Sequence, residues 1–259
     1  MDDSKTRPAH TMVRFDHDDL SSKAAALATA AAPRPRMRVV LNDEPADLRV
    51  ALSAYLAAVA RFDASRARRI VSEVAAVAEV PALLFDFVLP ALHGVAHDVS
   101  RGVLARGHEH LVNAQLSDCL LGRQRGIDVA AGSPRVLATT PRGHRHEVGL
   151  QVAVLLALVR GYEVVYLGVD LPDDQIIWCA RACAPAMLLL GVSQPLSDAE
   201  REHLRVIAAE LPATVAVWVG GRTLDPRGLP ERVAAFTTFD ALDAALARQH
   251  TTFSQRLGA

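Results

Sequence analysis

The spacing of apolar residues changes once along the chain, and that change divides it. From Ala46 to Gln124 apolar positions recur every three to four residues. Leu48, Leu52, Tyr55, Leu56 and Val59 form one stripe, and Ile70, Val74 and Val77 form a second. This is the period of amphipathic helices. Pro81 and Pro90 punctuate a third segment carrying Phe85, Val88, Leu89 and Leu92, and a fourth helix is predicted from about Leu104 to Leu121. Four helices joined by short turns predict a small bundle over residues 46–124. The stretch Arg123 to Pro134, with its glycines and proline, reads as the connection to the second half of the chain.

In that second half, strand and helix patterns alternate. Strands are predicted at Arg135–Thr140, Glu163–Gly168, Ala186–Val192 and Thr214–Val219, and helices at Glu147–Val159, Asp173–Ala182 and Ala199–Leu211. A short helix is expected near Pro230–Ala235, an edge strand at Thr237–Asp240 and a last helix at Ala241–Arg248. Runs such as Met187-Leu188-Leu189-Leu190 are apolar throughout, as strands covered on both faces must be. The predicted fold class is α/β: a helical-bundle cap, then a flavodoxin-like (Rossmann-type) doubly wound parallel sheet over residues 135–250.

Composition narrows the function. Of 259 residues, 51% are hydrophobic and 22% charged, enough for a proper core. With 28 basic and 29 acidic residues the net charge is −1, which gives no electrostatic reason for a dedicated nucleic-acid surface. Arg61, Arg66, Arg68 and Arg69 read as a solvated helix face. Cys179 and Cys183, one turn apart, read as buried thiols, as does Cys119. Residues 1–45 mix charges, an alanine run and Pro33-Arg34-Pro35-Arg36, and are expected to be a flexible segment with at most one short helix. No uninterrupted apolar stretch reaches the roughly 18 residues of a membrane span. The first 20 residues carry Asp16, His17, Asp18 and Asp19 where a signal peptide needs an apolar core, so the default expectation is cytoplasmic.

Three features fall at predicted strand carboxyl ends, where ligands bind in such sheets. Gly143-His144-Arg145-His146-Glu147-Val148-Gly149 follows the first strand and places His146 in a strand-to-helix loop, three residues before Gly149. Ser193 follows the third strand, and Gly220-Gly221 the fourth. In a flavodoxin-like order these strands are neighbours, so the three features face one crevice. An imidazole there is a candidate metal ligand. A hydroxyl at Ser193 can bond a ligand nitrogen, and adjacent glycines let the backbone approach a bulky ligand closely.

These residues resemble the cobalamin-binding domain. The resemblance implies that His146 is the lower axial ligand of cobalt, replacing the cofactor's own dimethylbenzimidazole. It further implies that Ser193 bonds the displaced benzimidazole and that Gly220 and Gly221 line the channel for the nucleotide tail. Through Arg160-Gly161-Tyr162-Glu163-Val164-Val165-Tyr166-Leu167-Gly168 the similarity is to the B12 modules of bacterial regulators. The preceding bundle looks like the cap over the corrin's upper face, with Glu109-His110 aligned to that cap's Glu-His pair. The resemblance spans about residues 80–248.

This chain departs from the pattern in two places. The family's acid two residues before the histidine is His144 here. That acid orients the imidazole and raises its basicity, so a weaker cobalt–His146 bond is expected unless Glu147 or a backbone carbonyl substitutes. The tryptophan that covers the upper ligand in light-dependent CarH-type repressors aligns with Val99, followed by Ser100. The smaller side chain favours hydroxo or aquo cobalamin over the adenosyl form. His93, His97, His108 and His110 lie in the cap, any of which could reach cobalt from above. Pro195 makes the Ser193-Gln194-Pro195-Leu196 match partial.

Three functions compete: a B12-bound regulator, a corrinoid methyl carrier, and a haem-binding sensor of the same build. None is an enzyme in itself. A winged-helix DNA-binding domain needs about 70 structured residues, more than precede the bundle. A regulator of this layout is therefore expected to act through a partner. It is similar to the AerR/PpaA group of antirepressors, which implies a DNA-binding repressor of the CrtJ/PpsR type as partner, an indirect association with DNA, and light- or redox-responsive control of photosystem genes.

Overall fold

The computed structural model describes residues 47–257, so the expectation for residues 1–45 lies outside the described residues. Four helical elements come first: α1 (Leu48–Ala60), α2 (Ala64–Val77), α3 (Val80–Ser100) and α4 (Arg106–Gln124). Asp47 and Asp63 cap the first two, each accepting a backbone N–H of the first turn at 3.0 Å. Such caps satisfy donors that the helix itself leaves free. In α2 the buried stripe is Ala67, Val71 and Val74, and Val77 is exposed, one step off the expected register. Arg61, Arg66, Arg68 and Arg69 are solvated as expected.

The third element is irregular at its centre. Leu83–Val88 winds as a π-helix, with the Leu89 N–H bonded to Leu84 O, before α-helical geometry resumes. Pro90 explains the position. Its ring clashes with the carbonyl four residues back, and a widened turn relieves that clash. The segment Val80–Ser100 is long and apolar enough to cross a membrane by composition alone. Leu83, Leu84, Phe87 and Val88 are nevertheless fully enclosed in the bundle core.

The second half is a parallel sheet of β1 (Arg135–Thr139), β2 (Glu163–Tyr166), β3 (Met187–Gly191), β4 (Ala216–Gly220) and β5 (Val233–Phe236), in the order β2-β1-β3-β4-β5. The helices are α5 (Val148–Val159), α6 (Asp173–Cys183), α7 (Asp198–Glu210) and α8 (Phe239–Leu257). This is the flavodoxin-like arrangement that the alternation predicts. One face of the sheet shares a continuous core with the bundle through α5, while the other is covered by a second core with α6 and α7. Cys119, Cys179 and Cys183 are half-buried free thiols, less enclosed than expected.

The end of the chain differs from the pattern. Residues 230–235 do not form a helix; Val233 is buried and pairs with Val217, so Val233–Phe236 is the edge strand. Six residues between Pro230 and the next turn are too few to nucleate a stable helix, whereas pairing with β4 supplies the missing hydrogen bonds. The strand expected at Thr237–Asp240 thus lies four residues earlier, and α8 begins at Phe239.

Candidate functional site at the carboxyl edge of the sheet

The strand order brings the loop after β1, Ser193 after β3 and Gly220-Gly221 at the end of β4 to one edge. The loop after β1 is laced to its neighbours. The Asp170 N–H donates to Thr140 Oγ1 at 2.8 Å, and the Thr140 hydroxyl in turn donates to His144 O. Asp170 accepts the Gly143 N–H at 2.8 Å and Arg145 Nε at 2.9 Å. The Gly143 N–H, with help from Arg145, holds its carboxyl below the usual carboxylate range. Asp170 sits at φ 63°, a left-handed conformation that aspartate tolerates better than most residues.

The two histidines of this loop have opposite environments. His146 is exposed, and among the described residues no hydrogen bond holds its ring. His144 is fully buried. Its Nδ1 accepts the Ser193 N–H at 3.0 Å, and the Ser193 Oγ lies 3.4 Å from the same nitrogen. An acceptor Nδ1 means the proton sits on Nε2. That Nε2 lies 3.2 Å from Glu200 Oε1, at ion-pair distance but outside hydrogen-bond geometry. Burial pushes the His144 imidazole below the ordinary histidine range, partly offset by Glu200. Glu200 is itself fixed by the cap of α7, accepting the Ser197 hydroxyl at 2.6 Å and the Ser197 N–H at 2.7 Å. His144 therefore latches the loop after β1 to the loop after β3, and does not orient His146.

Glu147, the expected substitute for the missing acid, accepts the Tyr166 hydroxyl at 2.5 Å. Burial first, then this carboxylate, pushes the Tyr166 hydroxyl up. Four residues on, the buried Gln151 donates to Ser117 Oγ at 2.8 Å, while Gln124 donates to Gln151 O at 3.0 Å. These bonds tie α5, which starts just after His146, to α4 of the bundle.

Of the expected cap residues, Val99 is half-buried near the end of α3, and Glu109 (half-buried) and His110 (exposed) lie in the first turns of α4. His108 serves the fold. Its Nδ1 accepts the Ala105 N–H at 3.1 Å, capping α4, and its ring lies 3.9 Å from that of Phe62. His93 and His97 are exposed on α3. Burial first, and the Arg222 guanidinium after it, lower the His93 imidazole.

Chemically, the exposed His146 offers one nitrogen ligand. Among the described residues no group of three or more His, Cys, Asp or Glu side chains could hold a metal ion unaided. A metal already chelated in a macrocycle needs only an axial side chain, so the imidazole fits a corrinoid cobalt. The region beside the edge is tightly occupied. A Cβ on Gly221 would lie 2.3 Å from Val192 O, so glycine is required there for loop packing. A Cβ on Gly191 would lie 3.3 Å from Thr140 Cγ2 and 3.4 Å from Leu150 Cβ. A Cβ on Gly149 would touch Phe239 at 3.9 Å, and one on Gly220 would lie 3.8 Å from Phe236 O. Trp218 and Phe236 pack with ring centroids 4.7 Å apart and planes tilted by 44°. Thr140, Leu150 and Val192 therefore crowd the backbone at Gly191 and Gly221, while Phe236 and Phe239 lie at ordinary contact distance beside Gly220 and Gly149.

No protein-family model matches the chain. Over 169 residues it is 27% identical to the HTH-type transcriptional repressor CarA of Myxococcus xanthus, covering 64% of this chain. The chain spans 56% of the length of that repressor. Among solved structures it is similar to the Methanosarcina barkeri monomethylamine corrinoid protein, with a TM-score of 0.61 and 14% identity over 77% of this chain and 96% of the other. A cobalamin-binding protein from Desulfitobacterium hafniense overlaps more loosely, with a TM-score of 0.38 and 20% identity over 76% and 97% of the two chains. By fold this is a helical bundle joined to the kind of parallel sheet found in a corrinoid protein, and by sequence it is similar to a transcriptional repressor.

Proposed function

We propose that the chain is a cobalamin-binding transcriptional regulator in which His146 is the lower axial ligand of cobalt. The observation that carries this reading is the exposed imidazole of His146, without a hydrogen-bond partner among the described residues, on the loop after β1, at the carboxyl edge of a 2-1-3-4-5 sheet that shares a core with the bundle. Gly149, Ser193, Gly220 and Gly221 frame that edge. Val99, Glu109 and His110 belong to the upper face, where the modest Val99 side chain favours a small upper ligand, hydroxo or aquo. Bound cobalt would supply an exchangeable ligand position sensitive to light or redox state.

The remaining work falls to the chain. His146 and α5 are continuous, and Gln151 couples α5 to Ser117 and Gln124 of α4. A displacement of the His146 loop is thereby carried into the bundle, the element whose exposed faces a partner would meet. The output in this reading is antirepression of the AerR/PpaA type, in the cytoplasm. The bundle engages a DNA-binding repressor of the CrtJ/PpsR type and reaches DNA only through it. The similarity to a transcriptional repressor supports the regulatory reading.

The test is uptake of hydroxocobalamin by the purified protein. The wild type is expected to carry the red chromophore through gel filtration, and His146→Ala to lose it. A colourless wild type of full fold would overturn the cobalt reading. Methyl transfer from methylcobalamin-loaded protein to a thiol would identify a carrier, and haem uptake without corrinoid uptake a haem sensor. The antirepressor role predicts that the loaded protein releases a CrtJ/PpsR-type repressor from its operator in a gel-shift assay.

A further inference from the structure

If His146 binds cobalt, the cofactor's own benzimidazole must go elsewhere. In the cobalamin-binding pattern it enters the crevice beside Ser193 and Gly220-Gly221. Here that route is closed at two levels. At the mouth, His144 is fully buried and bonded to the Ser193 N–H, so the loops after β1 and β3 are joined across the gap. Below the mouth, Thr140 and Leu150 leave no more than tight contact for a Cβ at Gly191, at 3.3 and 3.4 Å, and Phe239 would lie 3.9 Å from one at Gly149. Trp218, only 7% exposed, packs its ring at a 44° tilt against the half-buried Phe236, whose strand pairs with Gly220. An indole and two phenyl rings occupy the region that a two-ring base would need. Well-packed interiors leave no space larger than a water molecule, so the base and these rings cannot share it.

We infer that this chain selects its corrinoid by the ring and the cobalt alone, and that its preferred ligand class is corrinoids lacking the lower nucleotide base. The inference rests on the cobalt reading above. A cobalamin must detach its base from cobalt before His146 can bind, and that base is then left in water. A base-free corrinoid meets no such cost.

The experiment is a spectrophotometric titration of the wild-type protein with aquo-form cobinamide, which lacks the nucleotide, and with hydroxocobalamin. Cobinamide is expected to bind more tightly than hydroxocobalamin, by about threefold or more. Burying a two-ring aromatic base in a protein would instead favour hydroxocobalamin by on the order of a hundredfold. A cobinamide advantage below about threefold, or any preference for hydroxocobalamin, overturns the inference and leaves the cobalt reading standing. Uptake of neither corrinoid overturns both. Trp218→Ala, which empties the indole's volume, is expected to shift the ratio toward hydroxocobalamin while leaving cobinamide affinity unchanged. Should that variant fail to fold by circular dichroism, Phe239→Ala makes the same test at the other wall. An unchanged ratio in the folded variant overturns the assignment of these rings as the barrier.

Discussion

Replacing His144 tests the latch that distinguishes this loop. His144→Ala removes the acceptor of the Ser193 N–H, which otherwise pairs at 3.0 Å. A backbone donor left without a partner in a buried position costs about 1–3 kcal/mol. The emptied ring volume adds a cavity term of about 1 kcal/mol or more. The expected loss is therefore about 2–4 kcal/mol, several-fold more than a typical surface substitution. His144→Asn keeps an oxygen near the position of Nδ1 and should lose about 1–2 kcal/mol less than the alanine variant. The pH dependence has a definite sign. Burial lowers the folded-state imidazole below its unfolded value, so the unfolded state binds the proton more readily. The stabilisation is complete above the unfolded pKa of about 6.5 and is lost as pH falls from there toward the folded value. Urea unfolding of the wild type and both variants between pH 5 and 8 measures all three quantities. A wild-type slope unchanged in His144→Asn, or an alanine variant within about 0.5 kcal/mol of wild type, would refute the latch.

Other substitutions probe separate parts of the frame. Gly221→Ala places a Cβ 2.3 Å from Val192 O and should cost about 1–3 kcal/mol in urea unfolding, whereas Gly228→Ala, in open space at φ +75°, should cost less. Phe87→Ala, in the π-helical turn of the bundle core, should cost about 3–5 kcal/mol, and retention of wild-type stability would show that the core is packed differently. Gln151→Leu breaks the bonds from Gln151 Nε2 to α4 and should raise amide hydrogen exchange in the last turns of α4 without unfolding the sheet, which is read by mass spectrometry.

Much of the fold was legible because its signals are local and periodic. The apolar runs of β1, β3 and β4 and the helices between them follow from strand–helix alternation, and the bundle from three-to-four spacing. The position of His146, Ser193 and Gly220-Gly221 at one edge followed from strand order, which alternation predicts well. What was not legible depends on partners distant in sequence. Val233–Phe236 is a strand because Val217 and its neighbours lie alongside, and nothing within those residues says so. Which histidine of His144-Arg145-His146 turns inward is decided by Ser193 and Glu200, 49 and 56 positions away by their numbering. His108 looked like a candidate upper ligand, yet its backbone partner Ala105, three residues before it, marks it as a cap. The filled crevice was hidden for the same reason as the strand. Trp218, Phe236 and Phe239 are ordinary residues singly and close the space only together.

Binding of cobalt by the His146 imidazole can be read without intermediaries from electron paramagnetic resonance of the reduced, Co(II) corrinoid-loaded protein. One axial histidine nitrogen splits each cobalt line into a triplet, and protein grown with 15N-histidine should convert every triplet to a doublet. His146→Ala, which is expected not to retain the corrinoid, should show no label-dependent splitting. Splitting in the wild type that ignores the histidine label, or label-dependent splitting that survives in His146→Ala, would rule His146 out as the axial ligand.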